Sequence, residues 1–224
     1  MSLDLTFHHS IDEIDADQWN ALNTCDFPFL RHEFLQALEQ TGCVAIQTGW
    51  TPRHVAAYDG GRPCAALPLY EKTHSMGEFV FDFSWADAYD RLGLEYYPKL
   101  VNAIPFTPVT GPRALPTVLE ATALHRRLLE AALTPMARGG FSSFHCLFPE
   151  EALAQRWAQT SGLMPRIACQ FRWHNQGFAD FEDHLSTFTA DKRKKIRRER
   201  RRIDESGLRI EVWTGQDMTS ARWN

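Results

Sequence analysis

"RHVAAYDGGRPCAALPLYEKT", residues 53–73, reads as two strands folded back on each other. Short runs of Val, Ala, Leu and Tyr flank Asp59-Gly60-Gly61, where two glycines can take the positive φ angles a tight hairpin needs. The remaining elements arrange themselves around it. Upstream, "LDLTFHHSI" (3–11) alternates as a first strand, and "DADQWNALN" (15–23) and "RHEFLQALEQTG" (31–42) read as two short helices, the second stopped by Gly42. Downstream, "GEFVFDFSW" (77–85) continues the strands. Ala86–Pro116 follows, aromatic-rich and without periodicity, and reads as a long functional loop. Then come an amphipathic helix at 117–140, a strand "FSSFHCLF" (141–148), a helix at 149–162 and a strand "RIACQFRWH" (166–174). This order predicts an α/β (α+β) domain over 1–165 with a mostly antiparallel central sheet. A second unit, 166–224, opens with "DFEDHLSTF" (180–188) and a basic helix 191–206 stopped by Gly207, followed by a strand "LRIEVW" (208–213).

The chain has 224 residues, 44% of them hydrophobic, and a net charge of −4. Positions 191–205 hold nine basic and four acidic residues, a local +5, so the other 209 sum to −9. Basicity confined to one helix argues against DNA coating and for one anionic partner at one site. No run reaches the ~18 apolar residues of a membrane helix, and "MSLDLTFHHSIDEID" lacks a signal-peptide pattern, so a cytoplasmic location is expected. The five cysteines include no C-x-x-C pair and no histidines show ligand spacing, so neither disulfides nor a metal site is expected.

Residues 48–113, with "YYPKL" (96–100) and "PFTPVTGPR" (105–113), and residues 170–203, with "KRKKIRRERR" (192–201), resemble a bacterial family of Fem-like peptidoglycan biosynthesis or recognition proteins in the GNAT-type acyltransferase superfamily. That resemblance implies tandem GNAT-like domains, the first with helices on both faces of its sheet and the second only begun here. It implies an N-acyl or aminoacyl transferase of cell-wall metabolism, acting on a nucleotide- or lipid-linked muropeptide. Acyl-CoA or aminoacyl-tRNA would be the donor of the full-length protein, with tRNA a partner and the first half alone inactive. A GNAT cofactor loop, R/Q-x-x-G-x-G/A, does not occur in this sequence. Its nearest counterpart, "TGPRALP" (110–116), has one glycine and two prolines, and proline offers no N–H to a pyrophosphate. No cofactor site is therefore expected within this chain. A non-catalytic recognition module and RNA binding through the basic helix stand as alternatives.

Candidate residues fall into two groups. Asp82 and Asp87, among aromatics, are general-base candidates, because a carboxylate shielded from water can take a proton from an attacking amine. Trp85, Tyr89 and Tyr97, with Lys99 and Arg113, would form a substrate wall. The bland reading has the acids capping turns, the aromatics in a core and the cations lying over apolar surface. Lys192, Arg193, Lys195, Arg197 and Arg198 are phosphate-binding candidates, since the first three oppose the helix dipole, against the alternative of a solvated face. His74-Ser75 on a strand would point to opposite faces, poor geometry for a nucleophile and its base.

Overall fold

The computed structural model of the chain describes residues 3–117, 121–167, 169 and 171–223. Two compact units emerge, Met1–Ile167 and Ala168–Asn224.

Unit one is mixed α/β with two sheets, and the hairpin runs through both. Strands β1 (Asp4–His8), β3 (His54–Asp59) and β4 (Arg62–Leu67) form one sheet in the order β1-β3-β4. Strands β2 (Trp50–Pro52), β5 (Tyr70–Lys72), β6 (Lys99–Asn102) and β7 (Phe144–Cys146) form the other, in chain order. Asp59 pairs with Arg62, leaving Gly60 (φ 57°) and Gly61 (φ 81°) as a two-residue turn, the arrangement the glycines predicted. The expected single sheet is instead two. Pro52 and Pro68 cannot donate to a ladder, and the Arg53 N–H to Leu69 C=O bond (2.8 Å) joins the two halves of the hairpin across that break. All pairings are antiparallel except β6 with β7.

Alternation along β3 and β4 sorts the core. Val55, Ala57, Ala65 and Leu67 pack against Leu128, Leu129 and Ala132 of α4 (Thr122–Ala137) and Leu153 and Trp157 of α5 (Glu151–Ser161). On the opposite face, Ala56 and Ala66 meet Trp19 of α1 (Ala16–Leu22) and Leu35 of α2 (His32–Gln40). Helices thus cover both faces of this sheet. Burial of side chains this size is worth roughly 1.5–3 kcal/mol each, the main stabilising contribution here. Trp19 also donates its indole N–H to the Leu30 carbonyl at 2.7 Å, so its one polar atom costs nothing.

Four expectations are corrected. The supposed loop 86–116 contains most of α3 (Phe83–Arg91) and all of β6. Residues 77–82, expected as strand, take none, and Phe79 sits at φ 58°. In the second unit, α6 (Phe181–Ser186), α7 (Ala190–Glu205) and α8 (Ser220–Trp223) form, but residues 208–213 do not make a strand, because among the described residues no neighbouring strand takes up their N–H and C=O groups. The described residues of 166–174 are likewise not strand; Ala168 and Gln170 lie outside the described residues. Residues 118–120 of the expected helix 117–140 also lie outside them.

Candidate active site

Strand pairing assembles one unusual face. Trp50 stands opposite Lys72, Lys72 opposite Lys99, and Val101 opposite His145, so these side chains project to the same side of the second sheet. Leu100, pointing the other way, joins the core under α4 and α5. Against the charged face lies the segment from Ser75 to Asp82. It inverts the usual pattern: Ser75, Glu78 and Asp82 are buried, while Met76, Phe79 and Phe81 are exposed.

Lys99 is the hub. Its ammonium is fully enclosed and donates to Ser75 Oγ (2.8 Å), Glu78 Oε2 (2.9 Å) and Asp82 Oδ2 (2.5 Å), using all three protons. Tyr96 donates to the same Asp82 oxygen at 2.7 Å, and Ser75 Oγ also pairs with the Tyr97 hydroxyl at 2.8 Å. His145 Nε2 lies 2.9 Å from Ser143 Oγ and 3.5 Å from the Tyr96 hydroxyl. Lys72 sits 3.8 Å from the centroid of the Trp50 ring and donates to the Met76 carbonyl at 3.1 Å.

The environment separates the protonation states. Burial would raise Asp82, but its contacts with Lys99, Ser75 and Tyr96 outweigh that and hold it below the ordinary aspartate value. Glu78 goes up, because burial outweighs the pull of Lys99. Burial pushes Lys72 down to about 8 against the attraction of Glu78, with Lys99 adding to the fall. His145 drops to about 4 through burial and the Lys99 charge, leaving a neutral imidazole at pH 7. Burial and Asp82 push the Tyr96 phenol well up, so it remains a donor. Two carboxyls with values driven apart are the usual makings of an acid and a base.

Two atoms stand out. Glu78 Oε1 and Asp82 Oδ1 are buried and have no hydrogen-bond donor among the described residues. A buried carboxylate oxygen left unpaired costs about 1–3 kcal/mol, more when charged.

The sequence candidates divide accordingly. Asp82, Tyr97 and Lys99 meet in this network. Tyr89 touches it at one remove, with its ring 5.1 Å from that of Tyr96, edge to face. Trp85 is exposed on α3 under the Arg166 guanidinium (4.4 Å), and Asp87 is exposed there with no side-chain partner among the described residues. Arg113 is elsewhere. It is enclosed and donates to the carbonyls of Leu147 (2.6 Å), Pro112 (2.8 Å) and Val109 (2.5 Å), which makes it a clamp on its own loop. In the second unit, Arg193 bonds the Ser186 and Phe188 carbonyls, Arg197 pairs with Glu182, and Lys195 lies 3.9 Å from Glu199; Lys192 and Arg198 have no such partners among the described residues. Sequence reasoning missed Lys72, Ser75, Glu78, Tyr96 and His145. A lysine at the same position of two adjoining strands, Lys72 and Lys99, was the available signal.

The stretch Thr110–Pro116 does not suit a pyrophosphate. Gly111 N–H bonds the Phe148 carbonyl (3.2 Å) and Leu115 N–H bonds the Ala66 carbonyl (2.8 Å), while Pro112 and Pro116 have none to give. Among the described residues no cluster of His, Cys, Asp or Glu could hold a metal ion, and no helix is long and apolar enough to cross a membrane.

A family model described as FemAB-like, peptidoglycan biosynthesis/recognition, matches residues 10–224. Among solved structures, the aminoglycoside 6′-N-acetyltransferase AAC(6′)-Ih from Acinetobacter baumannii aligns at 12% identity over 79% of this chain and 100% of its own, with a TM-score of 0.41. AAC(6′)-IG from Acinetobacter haemolyticus aligns at 11% identity over 78% and 99%, with a TM-score of 0.38. No curated protein matches the sequence significantly.

Proposed function

Because the chain belongs to the FemAB-like peptidoglycan biosynthesis/recognition family, we propose that the Lys99 face is the acceptor site of an N-acyl or aminoacyl transferase acting on a muropeptide-type amine. The observation that carries this reading is the pair of unmatched carboxylate oxygens, Glu78 Oε1 and Asp82 Oδ1, on two carboxyls whose other oxygens share one lysine. A primary amine brings N–H donors to both. Asp82, held ionised, takes a proton as the amine nitrogen attacks the acyl carbon; the amide C–N bond forms, the bond from acyl group to carrier breaks, and the same proton passes from Asp82 to the leaving group. Lys99 fixes both carboxyls and does not act as a base, since its three protons are already spent.

The donor, acyl-CoA or aminoacyl-tRNA, would be held outside the Thr110–Pro116 loop, whose Gly111 and Leu115 amides are already bonded and whose two prolines have none. That same observation favours the second reading, recognition of peptidoglycan precursors without turnover. One experiment separates them. A nucleotide-linked muropeptide should bind the wild-type chain and lose at least about tenfold in affinity to Asp82→Asn by calorimetry. Acyl transfer assayed with both donors should fall about 10²–10⁴-fold in the same variant. Binding without any transfer would leave the recognition reading; unchanged binding in Asp82→Asn would remove the site.

A further inference from the structure

In the second unit, α7 carries two rows of cations. Arg193, Arg197 and Arg200, spaced i, i+4, i+7, face α6: Arg193 bonds the Ser186 and Phe188 carbonyls, Arg197 pairs with Glu182, and the Arg200 guanidinium lies 4.3 Å over the Phe181 ring. One residue further round, Lys194, Arg198, Arg201 and Arg202 occupy i, i+4, i+7 and i+8, a row about 12 Å long on a different face. None of these four has an ion pair or hydrogen-bond partner among the described residues, and no residue of α7 is buried. Asp191 and Glu205 stand at the ends of the row, so its middle is uniformly positive.

The neighbouring side chains indicate which polyanion fits. Single-stranded nucleic acids are held by cations together with open aromatic faces on which bases stack. Most aromatic rings described in this unit are already engaged: Trp173 stacks on Phe178 and meets His184 edge-on, Arg200 lies over Phe181 and Arg222 lies 4.3 Å over Trp213, leaving Phe171, 99% exposed, as an open ring. Directly after the helix the open side chains are mainly aliphatic, with Leu208 72%, Ile210 75% and Val212 88% exposed. Exposed aliphatics beside a cationic row match a bilayer with anionic headgroups, where lysine and arginine gain from the surface potential and aliphatic side chains enter the headgroup boundary.

We propose that this face of α7 docks the protein on an anionic lipid surface. α7 has no apolar stripe wide enough to insert, so the contact is electrostatic and salt-sensitive. The test is co-sedimentation of the full chain with phosphatidylglycerol–phosphatidylcholine vesicles and with phosphatidylcholine vesicles alone. The chain should pellet with the anionic vesicles only and be released as salt rises from about 0.05 to 0.5 M. Combined Lys194→Gln, Arg198→Gln, Arg201→Gln and Arg202→Gln should lower partition on the order of a hundredfold or more with helix content unchanged by circular dichroism. Glu205→Gln, which removes an acid from the same row and leaves every cation in place, should strengthen it. Equal binding to neutral vesicles, or no response to either set of substitutions, overturns the proposal; so does an RNA that strips the chain from vesicles and binds tighter than they do.

Discussion

Lys72 and Lys99 face each other across β5 and β6, and their surroundings make them chemically different. Lys99 is matched by two carboxyls, whereas Lys72 has a ring and a carbonyl and is pushed down to about 8 by burial. A folded value below the unfolded one near 10.4 means that the unfolded chain binds more protons between about pH 8 and 10.4. Stability conferred at this residue is therefore full above that window and is lost as pH falls through it. Urea unfolding across pH 7.5 to 10.5, roughly the range concerned, should show wild type gaining stability relative to Lys72→Met; parallel curves would mean that Lys72 is an ordinary ammonium. At this scale the sequence was partly legible. Asp82, Tyr97 and Lys99 could be picked from acids and a lysine lying among aromatics. Glu78 could not, because alternation in "GEFVFDF" suggests phenylalanines in and acids out, and only a lysine from a strand 21 residues away reverses it. Arg113 looked like a ligand and is a loop clamp, because its own carbonyl partners are invisible in a linear sequence.

Among the elements, the segment from Ser75 to Asp82 is the least regular and the most informative. Lys99 pins it to β6 through three bonds, so the segment's position is an electrostatic matter more than one of packing. Lys99→Met should strand two buried carboxyls and cost about 3–5 kcal/mol by chemical denaturation. Adding Glu78→Gln and Asp82→Asn to that variant should recover much of the loss, since uncharged amides need no counter-ion. A small penalty for Lys99→Met alone would mean the network is solvated. The hairpin was readable from its two glycines, and α4 and α5 from helical periodicity. α3 and β6 were not, as aromatics and prolines crowd a stretch where a four-residue strand leaves no period to detect. The strand expected at 208–213 has the right alternation and no neighbour, and alternation alone does not make a sheet.

Across the whole chain, charge is divided by unit. A chain that is acidic overall concentrates nine of its 24 lysines and arginines on one helix of the second unit, while the first buries a lysine-centred acid pair on a sheet face. The chain belongs to a FemAB-like peptidoglycan biosynthesis/recognition family, and the role proposed for the acid pair follows from that membership. The central claim is that Glu78 and Asp82 await a substrate amine, and one comparison tests it most directly. The chain is titrated by calorimetry with a muropeptide bearing a free primary amine and with the same molecule N-acetylated, each against wild type and the Glu78→Gln, Asp82→Asn double variant. The account predicts that wild type prefers the free amine by at least about tenfold, roughly one charge-assisted hydrogen bond, and that the preference vanishes in the double variant. Equal affinity of wild type for the two ligands would contradict it.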